Sequence, residues 1–184
     1  MNQFIVFEGL SGTGKTTIGK LVASKIGALF YTTPPKKFQA VRDVIDRKVN
    51  GLARFFFYLA GVCQASVEIE EILKSKSVVC DRYILTTLCF HAAIGVKTGR
   101  WEHGAVSQII LPRFTFLVSC EEEERLRRLK KRGMSYNDKA EQRSGIESRF
   151  IAEYRKYHPV EIDNSSPDPR CACQIVLGRI AGTI

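Results

Sequence analysis

Gly9-Leu10-Ser11-Gly12-Thr13-Gly14-Lys15-Thr16 carries the spacing G-x-x-x-x-G-K-T. That pattern is built for polyphosphate. Glycines let successive backbone N–H groups turn inward around the α- and β-phosphates. A helix that starts at the loop points its positive N-terminus at the same anion. The lysine reaches the β/γ-phosphates, and the threonine hydroxyl can ligate magnesium. Gly9, Ser11, Gly12, Thr13, Gly14, Lys15, Thr16 and Thr17 are therefore the candidate ATP-binding residues, with Lys15 also catalytic.

A second group lies about 65 residues further on. Val78-Val79-Cys80-Asp81 reads as an apolar strand that ends in a carboxylate. In an open parallel sheet, ligands gather at the carboxyl ends of the strands. Asp81 is thus placed to hold magnesium together with Thr16, directly or through water. Arg82, next to it, suits an acceptor phosphate, because a guanidinium binds phosphate bidentately.

These residues need elements to carry them. Phe4–Phe7 reads as a buried strand before the loop, and Thr16–Ile26 as a helix after it. Ala28–Tyr31, Val78–Cys80, Thr115–Val118 and Val160–Ile162 read as further strands. Leu52–Leu73, Ile84–Ile94, Glu121–Lys131, Ser144–Tyr157 and Cys171–Ile180 read as helices, and Gly133–Lys139 as a polar loop. Strands alternating with helices predict a parallel sheet covered on both faces. No repeat or linker interrupts the 184 residues, a length that suits one domain.

The composition, 45% hydrophobic and 26% charged, fits a globular chain. No apolar run reaches the ~18 residues of a membrane span. No basic leader precedes the first strand, so a cytoplasmic protein is expected. The cysteines show no zinc spacing and read as reduced packing residues. The net charge of +9 raises nucleic acid as a partner. It equally suits small polyanionic ligands. Eight of the basic residues lie between Arg125 and Arg143.

Phe7 through Thr17 and Val79-Cys80-Asp81-Arg82-Tyr83 together resemble thymidylate kinase and related nucleoside monophosphate kinases. Pro34 stands where that family has an Arg-Glu-Pro turn. Phe57 through Gln64 falls on its base-stacking helix. Arg132-Gly133 followed by Asp138-Lys139-Ala140-Glu141 resembles its mobile lid, and Ile162-Asp163 also fits. The resemblance implies a three-layer P-loop NTPase fold with a five-stranded parallel sheet, in one kinase domain over 1–184 with a lid near 132–143. It implies ATP, magnesium and a homodimer. It implies that Arg82 holds the acceptor phosphate, that Phe57 stacks on the base, and that Tyr83 lines the sugar. Gln64 counts with them on the acceptor side. Arg128 or Arg132 would close over the transferring group, which accounts for the local charge without nucleic acid.

The acceptor side departs from the family. Ser11 replaces an aspartate tied to the sugar, Thr32 a turn arginine, and Gly61 the arginine that reads the thymine edge. Cys89-Phe90-His91 replaces Ala-Tyr-Gln. Lys36 or Lys37 is the candidate substitute for the turn arginine. His91 reads first as a structural histidine and second as a contact to the base. These departures direct the expectation to a nucleotide kinase with an acceptor other than dTMP. The segment Tyr31–Lys37 has no carboxylate to serve as base for a hydroxyl acceptor, which favours a phosphate acceptor. A nucleoside kinase, a P-loop ATPase acting on nucleic acid, and a nucleotide-binding protein without kinase activity are the alternatives. A regulatory GTPase lacks its Asn-Lys-x-Asp here.

Overall fold

A computed structural model describes residues 2–182. In chain order the elements are β1 (Phe4–Glu8), α1 (Lys15–Lys25), β2 (Leu29–Thr32), α2 (Gln39–Lys48), α3 (Gly51–Leu73), β3 (Val78–Asp81), α4 (Ile84–Ala93), α5 (Gly99–Val106), β4 (Phe114–Ser119), α6 (Glu122–Arg132), α7 (Tyr136–Glu141), α8 (Ile146–Arg155), β5 (Val160–Asp163) and α9 (Pro169–Ala181).

The strands form one five-stranded sheet in the order β2-β3-β1-β4-β5, with every neighbouring pair parallel. β1 lies at its centre and is buried along its whole length. Its side chains alternate between two cores, as the strand period of two requires. Ile5 and Phe7 face Ile18 and Val22 of α1 and Val176 of α9. Phe4 and Val6 face Phe55, Val62 and Ile69 of α3 and Leu88 of α4. A third cluster joins Cys89 and Phe90 of α4 to Phe150 and Tyr154 of α8. The expected layers, helix over sheet over helix, are present.

The register sets Phe7 beside Asp81, and Asp81 beside Thr32. The ends of β1, β3 and β2 therefore meet at one edge of the sheet. The loop after β1 and the Asp81-Arg82 pair meet there without any long side chain having to reach.

Several elements differ from the sequence reading. Gly133–Lys139 is not loop throughout, because α7 starts at Tyr136. Its nucleus is a capping box. The Ser135 hydroxyl accepts from the Asp138 N–H at 3.2 Å, and the Asp138 carboxylate accepts from the Ser135 N–H at 2.8 Å. α9 starts at Pro169, with Asp168 as its cap. α2 and α5 were not expected. The one buried residue of α2 is Asp46, while Val41 and Val44 face outward, so its sequence has no inward apolar stripe. α3 is 23 residues long, and an 18-residue window of it has a mean hydropathy of 1.3. Its polar interruptions hide this from a search for an unbroken apolar run, and one face of it is packed on the sheet. The six cysteines form no disulfides.

Candidate functional site

A cavity of about 890 Å³ opens over the ends of β1 and β3. Its floor is the glycine-rich loop. Gly9 and Gly14 have φ of 132° and 96°, a region that side chains avoid. A Cβ at Gly9 would sit 2.4 Å from the Val118 carbonyl oxygen, and one at Gly14 would sit 2.2 Å from the Asn164 amide nitrogen. The loop is thus pressed between the sheet and the segment after β5. Asn164 donates to the Thr13 carbonyl at 2.8 Å, and Arg128 of α6 donates to the same oxygen at 3.4 Å. Thr13 and Gly9 stand behind the loop. Ser11, Gly12, Gly14, Lys15, Thr16 and Thr17 line the cavity.

Lys15 is buried, and its ammonium donates to the Leu10 carbonyl at 2.6 Å. Burial, and then the neighbouring Arg82 charge, push its pKa down to about 7. An anion in the loop would favour the ammonium form and oppose both effects.

The Thr16 hydroxyl donates to one oxygen of Asp81. The other oxygen, Oδ1, is buried and has no partner among the described residues. A buried carboxylate oxygen of this kind is costly unless something fills the place beside it. A hard cation or its water shell would satisfy it, and Thr16 is the second oxygen that such an ion needs.

Arg82 has φ 68°, rare for a residue with a side chain. Its backbone is held there. Its N–H donates to the Phe7 carbonyl at 2.9 Å, and its carbonyl accepts from the Thr33 hydroxyl at 3.0 Å. Strain of this sort gathers at functional positions. The guanidinium reaches the Ser11 hydroxyl at 3.0 Å and Glu141 at 3.4 Å. Burial opposes its charge most strongly, and Glu141, Tyr154, Asp81 and Glu8 together more than offset that, so its pKa is raised. Glu141 also accepts from the Ser11 N–H at 2.8 Å and from its hydroxyl at 3.1 Å. In the sequence, Glu141 has no role beyond its place in the lid motif.

Glu8 has a structural job. It accepts from the N–H groups of Tyr83 and Thr86 at 2.9 and 3.2 Å, and from the Tyr154 hydroxyl at 3.2 Å. Burial raises its pKa against the pull of these donors. It ties the end of β1 to the start of α4 and faces no open site.

The acceptor side is less as expected. Tyr83 lines the cavity, with its ring edge-on to Phe4 at 5.1 Å. Phe57 does not line it. Its ring packs on Phe38 at 5.4 Å, and Tyr58 and Phe90 form the aromatic wall instead. The reason is helical phase. Phe55, Val62 and Ile69 fix the sheet-facing side of α3, and residue 57 lies about 100° per residue away from Tyr58. Gln64 donates to Glu68 at 2.9 Å outside the lining. Lys36 is exposed on a 3-10 turn, and Lys37 pairs with Glu68 at 3.5 Å, so neither reaches the cavity. Arg128 and Arg132 both line it, and Arg132 pairs with Asp138 at 2.8 Å.

A polar group on α2 completes the wall. Asp46 accepts from the Tyr58 hydroxyl at 2.7 Å and from the Asn137 amide of α7 at 2.8 Å. Arg42 lies 3.5 Å from Asp46 and donates to the Tyr58 hydroxyl at 3.2 Å. The segment 132–143 is therefore fastened at Ser11 and at α2. The cavity so made is lined by the phosphate loop, Asp81, five arginines (Arg42, Arg47, Arg82, Arg128 and Arg132) and the aromatic rings.

The family model for thymidylate kinase matches residues 7–169. The chain is 27% identical over 169 residues to a probable thymidylate kinase of Methanocaldococcus jannaschii, covering 89% of this chain and 88% of that one. It is 31% identical over 178 residues to one of Methanococcus maripaludis, covering 90% and 88%. Among solved structures, the thymidylate kinase of Candida albicans matches with TM-score 0.77 at 14% identity, covering 98% of this chain and 92% of that one. That of Ehrlichia chaffeensis matches with TM-score 0.73 at 20% identity, covering 97% and 98%. At those identities the structures establish the P-loop kinase fold, and the family model together with the archaeal relatives goes further: this chain belongs to the thymidylate kinase family of nucleotide kinases.

Proposed function

We propose that the chain transfers the γ-phosphoryl group of ATP to the phosphate of a nucleoside monophosphate, with dTMP, the family's acceptor, as the first candidate. The observation that carries this is the facing of Thr16 and Asp81 beside Lys15, with Arg82 on the same cavity. Lys15 and the loop N–H groups would bind the donor phosphates. Arg82 would hold the acceptor phosphate, which is already anionic near neutral pH and needs little general base. Arg128 and Arg132 would neutralise charge on the moving group, with 132–143 as a lid on a single kinase domain. Magnesium, held by Thr16 and Asp81, would supply charge neutralisation on the donor phosphates. Catalysis is then positioning and electrostatics.

Two observations bear on the acceptor. The Glu141 carboxylate lies on Ser11, so the lid can supply the charge that the loop lacks at position 11. This answers, in favour of dTMP, the part of the contrary expectation that rested on Ser11. Tyr58, in place of Phe57, would present the ring to the base.

The proposal includes a cytoplasmic homodimer. Leu52, Phe56 and Val67 leave an exposed apolar stripe on α3, continued by Trp101 at 5.0 Å from Phe56. A second copy would cover it.

The test is ADP formation from ATP and magnesium across a panel of nucleoside and deoxynucleoside monophosphates, with Lys15→Ala as control. Acceptor-dependent ADP supports the reading. Folded protein that binds ATP but responds to no monophosphate rejects it. Stimulation by DNA instead would point to the nucleic-acid-dependent ATPase.

A further inference from the structure

Asp46 is the buried residue of α2, and its two carboxylate oxygens are taken by two different elements. Oδ1 accepts from the Tyr58 hydroxyl of α3 at 2.7 Å, and Oδ2 accepts from the Asn137 amide of α7 at 2.8 Å. The same amide lies 3.3 Å from the Tyr58 hydroxyl oxygen, so the three side chains close a triangle. Arg42 supplies the counter-charge, 3.5 Å from Oδ2. Arg54 of α3 holds the backbone of α2 by donating to the Asp46 carbonyl at 3.4 Å.

This joint stands where apolar packing is thin. The 3-10 turn before α2, α3 and α7 pack on α2. Val41 and Val44 face outward, so polar contacts place the helix. A hydrogen bond fixes direction and distance, whereas apolar contact has no direction of its own. A second contact joins the same two elements: Arg47 of α2 lies over the ring of Tyr136 of α7, 5.4 Å from its centroid.

The far end of α7 rests on the phosphate loop. Asp138, beside Asn137, pairs with Arg132 at 2.8 Å. Glu141, one turn further on, accepts from the Ser11 N–H at 2.8 Å and lies 3.4 Å from Arg82. α7 therefore runs as a strut from Asp46 to Ser11, and Tyr58, Asn137 and Glu141 all line the cavity. We infer that Asp46 is a positioning residue for phosphoryl transfer: its two oxygens set the lid and the Tyr58 ring as one unit, so that Arg132 and Glu141 reach the phosphate end only with the ring in place at the other. Asp46 acts through its partners and need not touch the reacting phosphates. This rests on the nucleotide-kinase reading above and adds to it a link between the lid and the aromatic wall.

The charge on Asp46 gives the test its direction. Asn137→Asp sets a second carboxylate against the first and turns the bond into repulsion. Adding Asp46→Asn puts a donor opposite an acceptor again, with the roles exchanged, and still leaves an oxygen for the Tyr58 hydroxyl. The experiment measures kcat and KM for dTMP, or for the monophosphate the wild type uses best, in the wild type, Asn137→Asp and the double variant. ATP affinity, Tm and the rate of tryptic cleavage after Lys139 in the ligand-free protein are read beside them. Asn137→Asp should lower kcat/KM for the acceptor roughly 10- to 100-fold and speed the cleavage by a similar factor, with ATP affinity unchanged. The double variant should recover both to within about threefold. The inference is overturned if the double variant stays as slow and as readily cut as Asn137→Asp, since position 137 would then matter by itself. Recovery of the cleavage rate without recovery of turnover also overturns it, as does wild-type turnover in Asn137→Asp. A fall of ATP affinity and Tm together with turnover would make the joint a support of the fold alone and overturn it too. Each of these leaves the kinase reading standing, because each requires turnover by the wild type. Wild-type protein that turns over no monophosphate sinks that reading and this inference with it.

Discussion

The hydroxyl of Thr16 donates to the carboxylate of Asp81, two residues 65 apart in the chain, and leaves the second oxygen of that carboxylate buried without a partner among the described residues. The contact exists because β1 and β3 are parallel neighbours in register, so the strand end and the start of the helix after the loop share one edge. An unfilled acceptor at that point is the strongest structural sign of a cation site in the chain.

Asp81→Asn should therefore remove metal-dependent turnover while sparing the fold. The amide keeps the shape and an acceptor for Thr16 but loses the charge that a hard cation requires. We expect kcat to fall about 100- to 1000-fold, with unchanged circular dichroism. A magnesium titration that leaves activity and midpoint as in the wild type would remove Asp81 from the metal site.

Lys15 makes donor binding depend on pH. In the ligand-free protein its pKa is about 7, lowered by burial and by Arg82. Only the ammonium form attracts polyphosphate. ATP affinity should be level below pH 7 and fall as pH rises, by up to about tenfold per pH unit while the bound form stays protonated. Binding at pH 8.5 should take up roughly one proton per site. Calorimetry in two buffers of different ionisation enthalpy reads this directly. Lys15→Ala should abolish the uptake. Uptake that persists in that variant would assign it to another group.

Gly61 marks where the family's edge-reading arginine would be, and the structure says why restoring it should fail. A Cβ there would stand 3.2 Å from the Cβ of Pro34, with Phe38 and Pro35 close behind. Helix α3 is packed against the turn after β2 at this point. Gly61→Arg should destabilise by about 1–3 kcal/mol, lowering Tm by roughly 3–10 °C, without improving KM for dTMP. A stable variant with tighter dTMP binding would show that the turn can yield and that the arginine subsite is latent.

The sequence by itself determined the phosphate end of the candidate site. Gly9 through Thr17, Asp81 and Arg82 are close to strand ends, and a parallel sheet places strand ends together whatever the details of packing. The strands were legible for the same reason: short apolar runs buried on both faces have few other readings. The aromatic end of the candidate site was decided by tertiary structure. Which of Phe57 and Tyr58 faces the cavity depends on the rotation of α3, which the sheet-facing residues Phe55, Val62 and Ile69 set. α2 was invisible because its inward residue is Asp46, held by Tyr58 and Asn137 from two other elements. Glu141 gained its contacts with Ser11 and Arg82 only when α7 folded back over the loop. His91 shows the same limit. Its type and helix were readable, but which nitrogen bears the proton, and that the other has no donor among the described residues, follow from the Thr87 carbonyl and the packed rings around it. Local spacing fixes what a short segment can bind, while the partners of a buried polar atom are fixed by which distant elements close around it.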